Sequence, residues 1–339
     1  MKTAIVLMQL GGPDRPAAVE PFLANLFGDP AILTVPDFLR PILAKFIARK
    51  RASKAREIYA QLGGGSPILA NTQAQANALE ALLNESPADE TRCFIAMRYW
   101  HPMTASCVRH VAGFRPDRIL LLPLYPQFST TTTESSVRLW HEEAAKAGLA
   151  APTRLVREYP TEQGFIAALA ENTQAAAARL PEAKRRPVYL FSAHGLPKRI
   201  EEKRKDPYPA QVRETSSALA AALDLPPEDW LTCFQSRVGP VEWIRPYTDE
   251  SVIEAGMVQR PVVVVPIAFV SEHSETLVEL DVELKELAWH AQVPGYARAA
   301  TVGTHPAFIE GLARLARAAW TSDDASNDAR IGASKGRTS

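Results

Sequence analysis

A chain of 339 residues that is 46% hydrophobic and 22% charged has apolar material for two cores, about 150 residues to each. Its 38 basic and 38 acidic side chains cancel to a formal net charge of zero, so no global field draws it to nucleic acid, and no DNA or RNA partner is expected. The longest apolar run, VVVVPIAFV at residues 262–270, is far short of the ~20 residues a membrane-spanning helix needs.

The N-terminus, MKTAIVLMQLGGPD, has one Lys and a brief apolar run. It lacks the apolar length and small-residue cleavage site of a signal peptide, so the mature chain is expected to begin near Met1 and to stay in the cytoplasm. Residues 4–7 read as the first strand, followed by QLGGP. Next comes FLRPILAKFIARKR at 38–51, where Phe38, Leu39, Ile42, Leu43, Phe46 and Ile47 recur at roughly helical spacing before Arg49, Lys50 and Arg51. The pattern favours a core-facing helix with a basic end, which the macrodipole welcomes. The alternatives are an apolar lip that receives a flat hydrophobic ligand, and an interfacial segment resting on a membrane. The triplet Gly63-Gly64-Gly65 has no Gly-Lys-Ser/Thr after it, and QLGGP is not G-x-G-x-x-G, so neither is a phosphate loop.

Further strands are expected at 92–97, 119–124, 153–156, 188–191, 231–235 and 262–267, with helices at 72–84, 162–180, 208–223 and 308–320. Several of the strands are nearly continuous apolar runs, as in parallel sheets buried on both faces. The strand–helix alternation argues for an α/β fold. Two units are expected, residues 1–137 and 138–320, with the last helix free to pack on either. From about 321 to 339 the composition turns to Asp, Ser, Asn, Gly and Lys without periodicity, which reads as a disordered tail. The cysteines Cys93, Cys107 and Cys233 form no CxxC pair. They predict no disulfide framework, and three thiols fall short of the usual four ligands of an iron–sulfur cluster.

Ligands of parallel α/β sheets bind at the carboxyl ends of strands, so the residues just after each apolar run carry the functional information. In VYLFSAHGLP, His194 ends such a run, and Gly195 leaves room for close approach. A lone histidine there is more often a turn cap. In FVSEHSETLVELDVE, Ser271 or Ser274 suits a helix cap, and Glu275, Glu279 and Glu283 fall at i, i+4 and i+8 on one helix face. Such a face is either a solvated acidic stripe or a track of carboxylates that passes a cation inward. One imidazole with carboxylates and no thiolate suits divalent iron. A two-His-one-carboxylate set from His194, His273 and Glu275 is formally available, but nothing else in the chain supports oxygen chemistry. His101, His110, His141, His290 and His305 lie in turns or polar helices and suggest no partner, and Cys107 and Cys233 read as ordinary buried thiols.

Taken in order, QLGGP, FIARKR leading to GGGSP, MRYWHP, LYPQFSTTTT, SAHGLP, DPYP, QSRVGPVEW with TDES, and VPIAFVSEHSETLVELDVE resemble the ferrochelatases over nearly the whole chain. The resemblance implies two Rossmann-like domains of the class II chelatase type with a porphyrin cleft between them. It implies insertion of ferrous iron into protoporphyrin IX, with porphyrin and iron as substrates and no cofactor. By position, His194 matches the catalytic histidine, thought to bind metal or accept a pyrrole proton, and Glu275 its carboxylate partner. His273 matches a supporting histidine, and Glu279 and Glu283 match the acidic track. Arg98 and Tyr99 match pocket residues on the opposite porphyrin face, Leu10, Trp243 and Phe269 match apolar walls, and Arg51 and Ser66 match groups near the propionates. Peripheral contact with the inner membrane through the lip at Phe38 to Ile47 is an expectation from the apolar-plus-basic composition of that segment. The chain lacks the cysteine-rich C-terminal extension of animal members, and so resembles the bacterial, cluster-free type.

The chemistry agrees with the resemblance. A flat apolar ring wants an apolar slot with a few polar groups at its edge. Two pyrrole protons must leave as the metal enters, and histidine, with an ordinary pKa near ~6.5, is suited to accept one. The rival readings are a coproporphyrin ferrochelatase, another tetrapyrrole chelatase such as a cobalt chelatase, and a non-catalytic haem carrier. A cobalt-branch precursor rich in carboxylates would want a more basic pocket, and a carrier would not need an acidic track.

Overall fold

The computed structural model describes residues 1–84 and 90–321. Ala4, Ile5, Val6, Leu7 and Met8 are each at most 1% exposed, which only a strand covered on both faces allows. They lie in β1 (Lys2–Gln9), which with β2 (Glu90–Met97), β3 (Arg118–Pro123) and β4 (Thr153–Leu155) forms a parallel sheet in the order β2-β1-β3-β4. Ile5 sits opposite Cys93 on one side and Leu120 on the other. The connecting helices are α1 (Val19–Gly28), α2 (Arg40–Ala60), α3 (Ile68–Leu83), α4 (Thr104–Phe114) and α5 (Thr133–Lys146). One face of the sheet packs on Val108 and Val111 of α4 and Val137 and Trp140 of α5.

This carries the first unit past residue 137. The boundary expected there falls inside α5, and β4 pairs with β3 with Ile119 opposite Thr153. The run of Thr and Ser before Val137 resembles a linker in composition, but it is the turn into a helix that covers the sheet.

The second half repeats the plan. After α6 (Gln163–Ala177) come β5 (Val188–His194), α7 (Lys198–Arg204), α8 (Tyr208–Ala222), β6 (Trp230–Gln235), α9 (Thr248–Met257) and β7 (Val262–Pro266). Then follow α10 (Ser274–Leu277), a single π-helical turn (Glu279–Glu283), α11 (Leu284–His290), β8 (Tyr296–Arg298) and α12 (Pro306–Ala318). The sheet order is β6-β5-β7-β8, again all parallel, matching the first sheet strand for strand. β8 was not expected, because Tyr-Ala-Arg carries no apolar run; pairing with Val262 and Val264 makes it a strand.

The two sheets share one core. Ile5, Leu7, Leu120 and Leu122 of the first sheet join Phe191, Ala193, Val263 and Val265 of the second through α3, α6, α8 and α12. The last helix, left open by the sequence, packs on both α6 and α3. Polar side chains bolt the halves together: the Gln75 amide donates to the carbonyls of Val270 at 2.8 Å and Gly303 at 2.9 Å. Asp206 accepts from the Ser129 hydroxyl at 3.0 Å and the Thr130 hydroxyl at 2.7 Å.

In α2 the buried stripe is Ala44, Ala48, Ala52 and Tyr59, facing α1. Phe38, Ile42 and Phe46 are instead 76%, 70% and 64% exposed. The core-facing reading of this segment is therefore overturned in favour of an exposed apolar lip. The tail expected from 321 onward lies outside the described residues, Thr321 excepted. No helix among the described residues is long and apolar enough to cross a membrane.

Candidate active site

The carboxyl edge of the second sheet carries most of the expected residues. β5 ends at His194, and the Ser192 hydroxyl two residues earlier donates to Gln235 Oε1 of β6 at 2.7 Å. His194 Nδ1 lies 2.5 Å from the Gly195 carbonyl. A carbonyl only accepts, so Nδ1 carries a hydrogen, and in the neutral imidazole it is Nε2 that bears the lone pair. That free nitrogen faces Glu275 Oε1 at 3.7 Å, and both side chains are about a third exposed, at 39% and 34%. The Trp243 ring stands 6.3 Å away at 56°, as one wall beside the imidazole. The space at Gly195 is filled by the protein itself: a Cβ there would lie 2.9 Å from the Gln235 carbonyl and 3.0 Å from the Trp243 ring. The glycine lets Trp243 and β6 close on His194; it does not make room for a ligand.

His273 precedes α10. Its ring meets the edge of Phe269 at 4.8 Å, and its Nδ1 is buried without a partner. Burial holds its pKa below the usual range, so the imidazole is kept neutral despite the nearby Glu275 and Glu272 carboxylates. Beyond α10 the chain takes its π turn, in which the Glu283 N–H reaches back five residues to Val278 at 3.0 Å. The turn breaks the even spacing expected for the three glutamates. Glu275 and Glu279 stay in the site, whereas Glu283 is exposed and lines, with Glu279, Arg237 and Asp249, a separate cavity of about 260 Å³. Glu279 accepts from the Ser236 N–H at 2.7 Å, the Ser236 hydroxyl at 2.5 Å and the Gln235 amide at 3.2 Å. Burial first, and then the Glu275 charge, raise its pKa above the ordinary carboxylate value.

The first sheet supplies the facing side. The phenol of Tyr59, on α2, is pushed up to about 12 by burial and by Glu275, with Ser274 pulling the other way. Arg98 follows β2. Its guanidinium donates to Asp29 at 2.7 Å and to the Ser135 hydroxyl at 2.9 Å, leaving the side chain 14% exposed. Tyr99 is wholly buried, with its hydroxyl on Asp29 at 2.7 Å. So buried, it is not free to line a cleft as expected. Leu10, after β1, packs with the α1 and α2 cluster, and Arg51 lies over the Phe27 ring at 5.6 Å. Ser66, bonded through its N–H to the Pro13 carbonyl at 2.7 Å, lines a different cavity of about 910 Å³ along β2, to which His194 and Glu275 do not contribute.

Sequence reasoning missed Tyr59, Asp29, Gln235 and Ser236. Gln235 ends an expected strand and was open to inspection. Asp29 and Tyr59 sit on helices and loops with no local signal. Of the five histidines for which the sequence suggested no partner, His305 pairs with Glu171 at 3.1 Å and His290 with Glu286 at 3.9 Å. Cys107 and Cys233 are buried, and burial pushes the Cys233 thiol up to about 12.

A family model described as Ferrochelatase matches residues 2–319. A ferrochelatase of Caulobacter vibrioides is 50% identical over 320 residues, spanning 93% of this chain and 90% of its own. One from Pelagibacter ubique is 44% identical over 316 residues, with 93% and 90% covered. Among solved structures, SirB from Bacillus subtilis with Fe3+ superposes with a TM-score of 0.55 at 12% identity, covering 94% of this chain and 95% of that one. That likeness speaks for the fold: two Rossmann-like halves, as the sheets show.

Proposed function

The chain belongs to the ferrochelatase family of metal-inserting lyases, and from that premise we propose that it inserts ferrous iron into protoporphyrin IX in the cleft faced by His194 and Glu275. The observation that carries this reading is the placing of His194 between the Gly195 carbonyl and Glu275. With Nδ1–H held by the Gly195 carbonyl, Nε2 is a base aimed at the site, and Glu275 at 3.7 Å is placed to stabilise the imidazolium that forms.

The balance is simple. A neutral porphyrin loses two N–H protons, takes up Fe2+ and leaves as a neutral complex, so two protons must be received. His194 Nε2 takes one. Glu279, its pKa raised by burial and by Glu275, is suited to take the second and pass it toward Glu283 and the 260 Å³ cavity. Trp243 and Phe269 offer apolar walls, and Arg98, anchored by Asp29, brings fixed positive charge from the other half. No resident cofactor is needed for this chemistry, and the three cysteines of the chain are too few for a usual cluster.

The enzyme works in the cytoplasm and rests on the inner membrane through its lip. In support, exposed Phe38, Leu39, Ile42 and Phe46 lie beside exposed Lys45, Arg49 and Lys50, an apolar surface flanked by cations. Such a lip suits a sparingly soluble ring better than one rich in carboxylates, which favours protoporphyrin over coproporphyrin.

The test is anaerobic insertion of Fe2+ into protoporphyrin IX and, in parallel, coproporphyrin III, followed by loss of the free-base spectrum. Wild type should turn over protoporphyrin, and His194→Ala should abolish turnover while still binding the ring. Turnover of coproporphyrin alone would move the substrate assignment. Activity that survives His194→Ala would remove the proposed base.

A further inference from the structure

Glu275 and Glu279 sit at the start of a helical run, Glu275 on one turn of α10 and Glu279 on a π turn that continues directly into α11. The ladder changes from α to π hydrogen bonding between the two carboxylates, so their placement depends on what holds that irregular turn. Arg298, the last residue of β8, reaches into this segment with a side chain only 10% exposed. Its Nε and Nη2 form a fork on Asp281 at 2.8 and 2.6 Å, inside the π turn. Its Nη1 donates to Glu272 at 2.8 Å, directly before His273, and to the Ala299 carbonyl at 3.1 Å. Glu272 is held in turn by the Thr301 N–H at 2.9 Å and the Thr276 hydroxyl at 2.5 Å.

One guanidinium thus bonds both ends of the stretch from Glu272 to Asp281, and His273, Glu275 and Glu279 all lie between the two ends. We propose that Arg298 is a positioning residue for metal insertion: by clamping Glu272 and Asp281 it sets where Glu275 and Glu279 stand relative to His194, without touching substrate itself. The inference rests on the reading of His194, Glu275 and Glu279 as the group that receives iron and pyrrole protons. Planar fork geometry is what Lys lacks, so Arg298→Lys keeps the charge and loses the clamp.

The same sheet carries a built-in control. Arg260 precedes β7 at the amino edge, and donates to Asp229 at 2.6 Å and to the carbonyls of Pro187 at 2.8 Å, Glu228 at 2.8 Å and Arg186 at 3.1 Å. It is a clamp of similar kind at the end of the sheet away from the site.

The experiment compares wild type, Arg298→Lys, Asp281→Asn and Arg260→Lys in steady-state insertion with varied Fe2+, alongside porphyrin Kd by fluorescence quenching and Tm. Outer partners of metal-binding groups usually matter by about 10- to 100-fold in activity or affinity. Arg298→Lys should lower kcat/KM for iron by that much, with porphyrin Kd within about 2-fold of wild type. Asp281→Asn should reproduce the loss, and the double variant should be no worse than the worse single one, as for two members of one clamp. Arg260→Lys should lower Tm and leave kcat intact. Should Arg298→Lys keep wild-type kcat and iron KM, or should Arg260→Lys lose as much kcat as Arg298→Lys, the positioning role is overturned. A wild-type protein that binds porphyrin but inserts no iron overturns the insertion reading, and this inference with it.

Discussion

Asp29→Asn is the substitution whose cost the structure defines most sharply. The Asp29 side chain is 0% exposed. Its Oδ2 accepts from the Arg98 guanidinium at 2.7 Å, the Tyr99 hydroxyl at 2.7 Å and the Ser135 hydroxyl at 2.5 Å, while Oδ1 accepts from the Ala31 N–H at 2.8 Å. An amide nitrogen placed at Oδ2 would face three donors; turned the other way, it would face the Ala31 N–H. Either orientation sets donor against donor, and Arg98, 14% exposed, loses its counter-charge. Breaking one partner of a buried pair costs about 3–5 kcal/mol. At ~2–4 °C per kcal/mol this is a fall in Tm on the order of 10 °C. Urea unfolding followed by circular dichroism at pH 7 measures it, with Arg98→Met and the double variant completing a cycle. The double variant should lose clearly less than the sum of the singles, because it leaves no orphaned charge. A loss below about 1 kcal/mol for Asp29→Asn, or strict additivity in the cycle, would refute the claim that this carboxylate is the counter-ion of Arg98.

Three further outcomes are expected. Burial alone would raise the pKa of Asp29, but Arg98, Ser135 and the Ala31 N–H outweigh it and hold the carboxyl below its ordinary value. A depressed folded pKa gives stability that is present above the unfolded value near ~3.9 and is lost as pH falls through the lowered one; Asp29→Asn should therefore flatten the pH dependence of unfolding below pH ~4, and an unchanged slope would count against it. Gly164→Ala should destabilise by about 1–3 kcal/mol or more, since the new methyl would fall against the Ala307 backbone carbonyl where α6 meets α12; a neutral thermal melt would mean that the two helices can part. Ile42→Glu with Phe46→Glu should leave Tm within about 1 °C, because both side chains already face solvent, while weakening co-sedimentation with anionic vesicles; undiminished sedimentation would remove the lip from membrane contact.

The strands were legible because β1, β3 and β7 are covered on both faces and so are written as unbroken apolar runs. His194 was legible for a related reason: a residue that ends such a run stands at the sheet edge where ligands bind; Glu275 was legible from its helical spacing to Glu279 on the segment after β7. Other features were not. Phe38, Ile42 and Phe46 have the periodicity of a core-facing helix, yet the buried face of α2 is the Ala44, Ala48, Ala52 stripe, and the choice between two faces of one helix is made by α1. Glu283 leaves the line of Glu275 and Glu279 because a π turn, which no spacing rule announces, intervenes. Tyr99 and Arg98 converge on one carboxylate oxygen of Asp29, some 70 residues away, and the phenol is buried in doing so, a pairing that no local spacing announces. Arg298 finds Glu272 and Asp281 only once β8 pairs with β7.

The core shared by the two sheets has a consequence for synthesis. The chain emerges from the ribosome N-terminus first, and domains ordinarily fold as they appear. Here the first sheet is complete at Leu155, but the layer that covers its second face includes α12, which ends at Ala318. A nascent chain carrying only the first half must wait with Ile5, Leu7, Leu120 and Leu122 incompletely covered until nearly the last described residue has been made. Truncations that remove α12 should therefore fail as whole molecules, with both halves going into aggregates together, because the final helix is the closing layer for each.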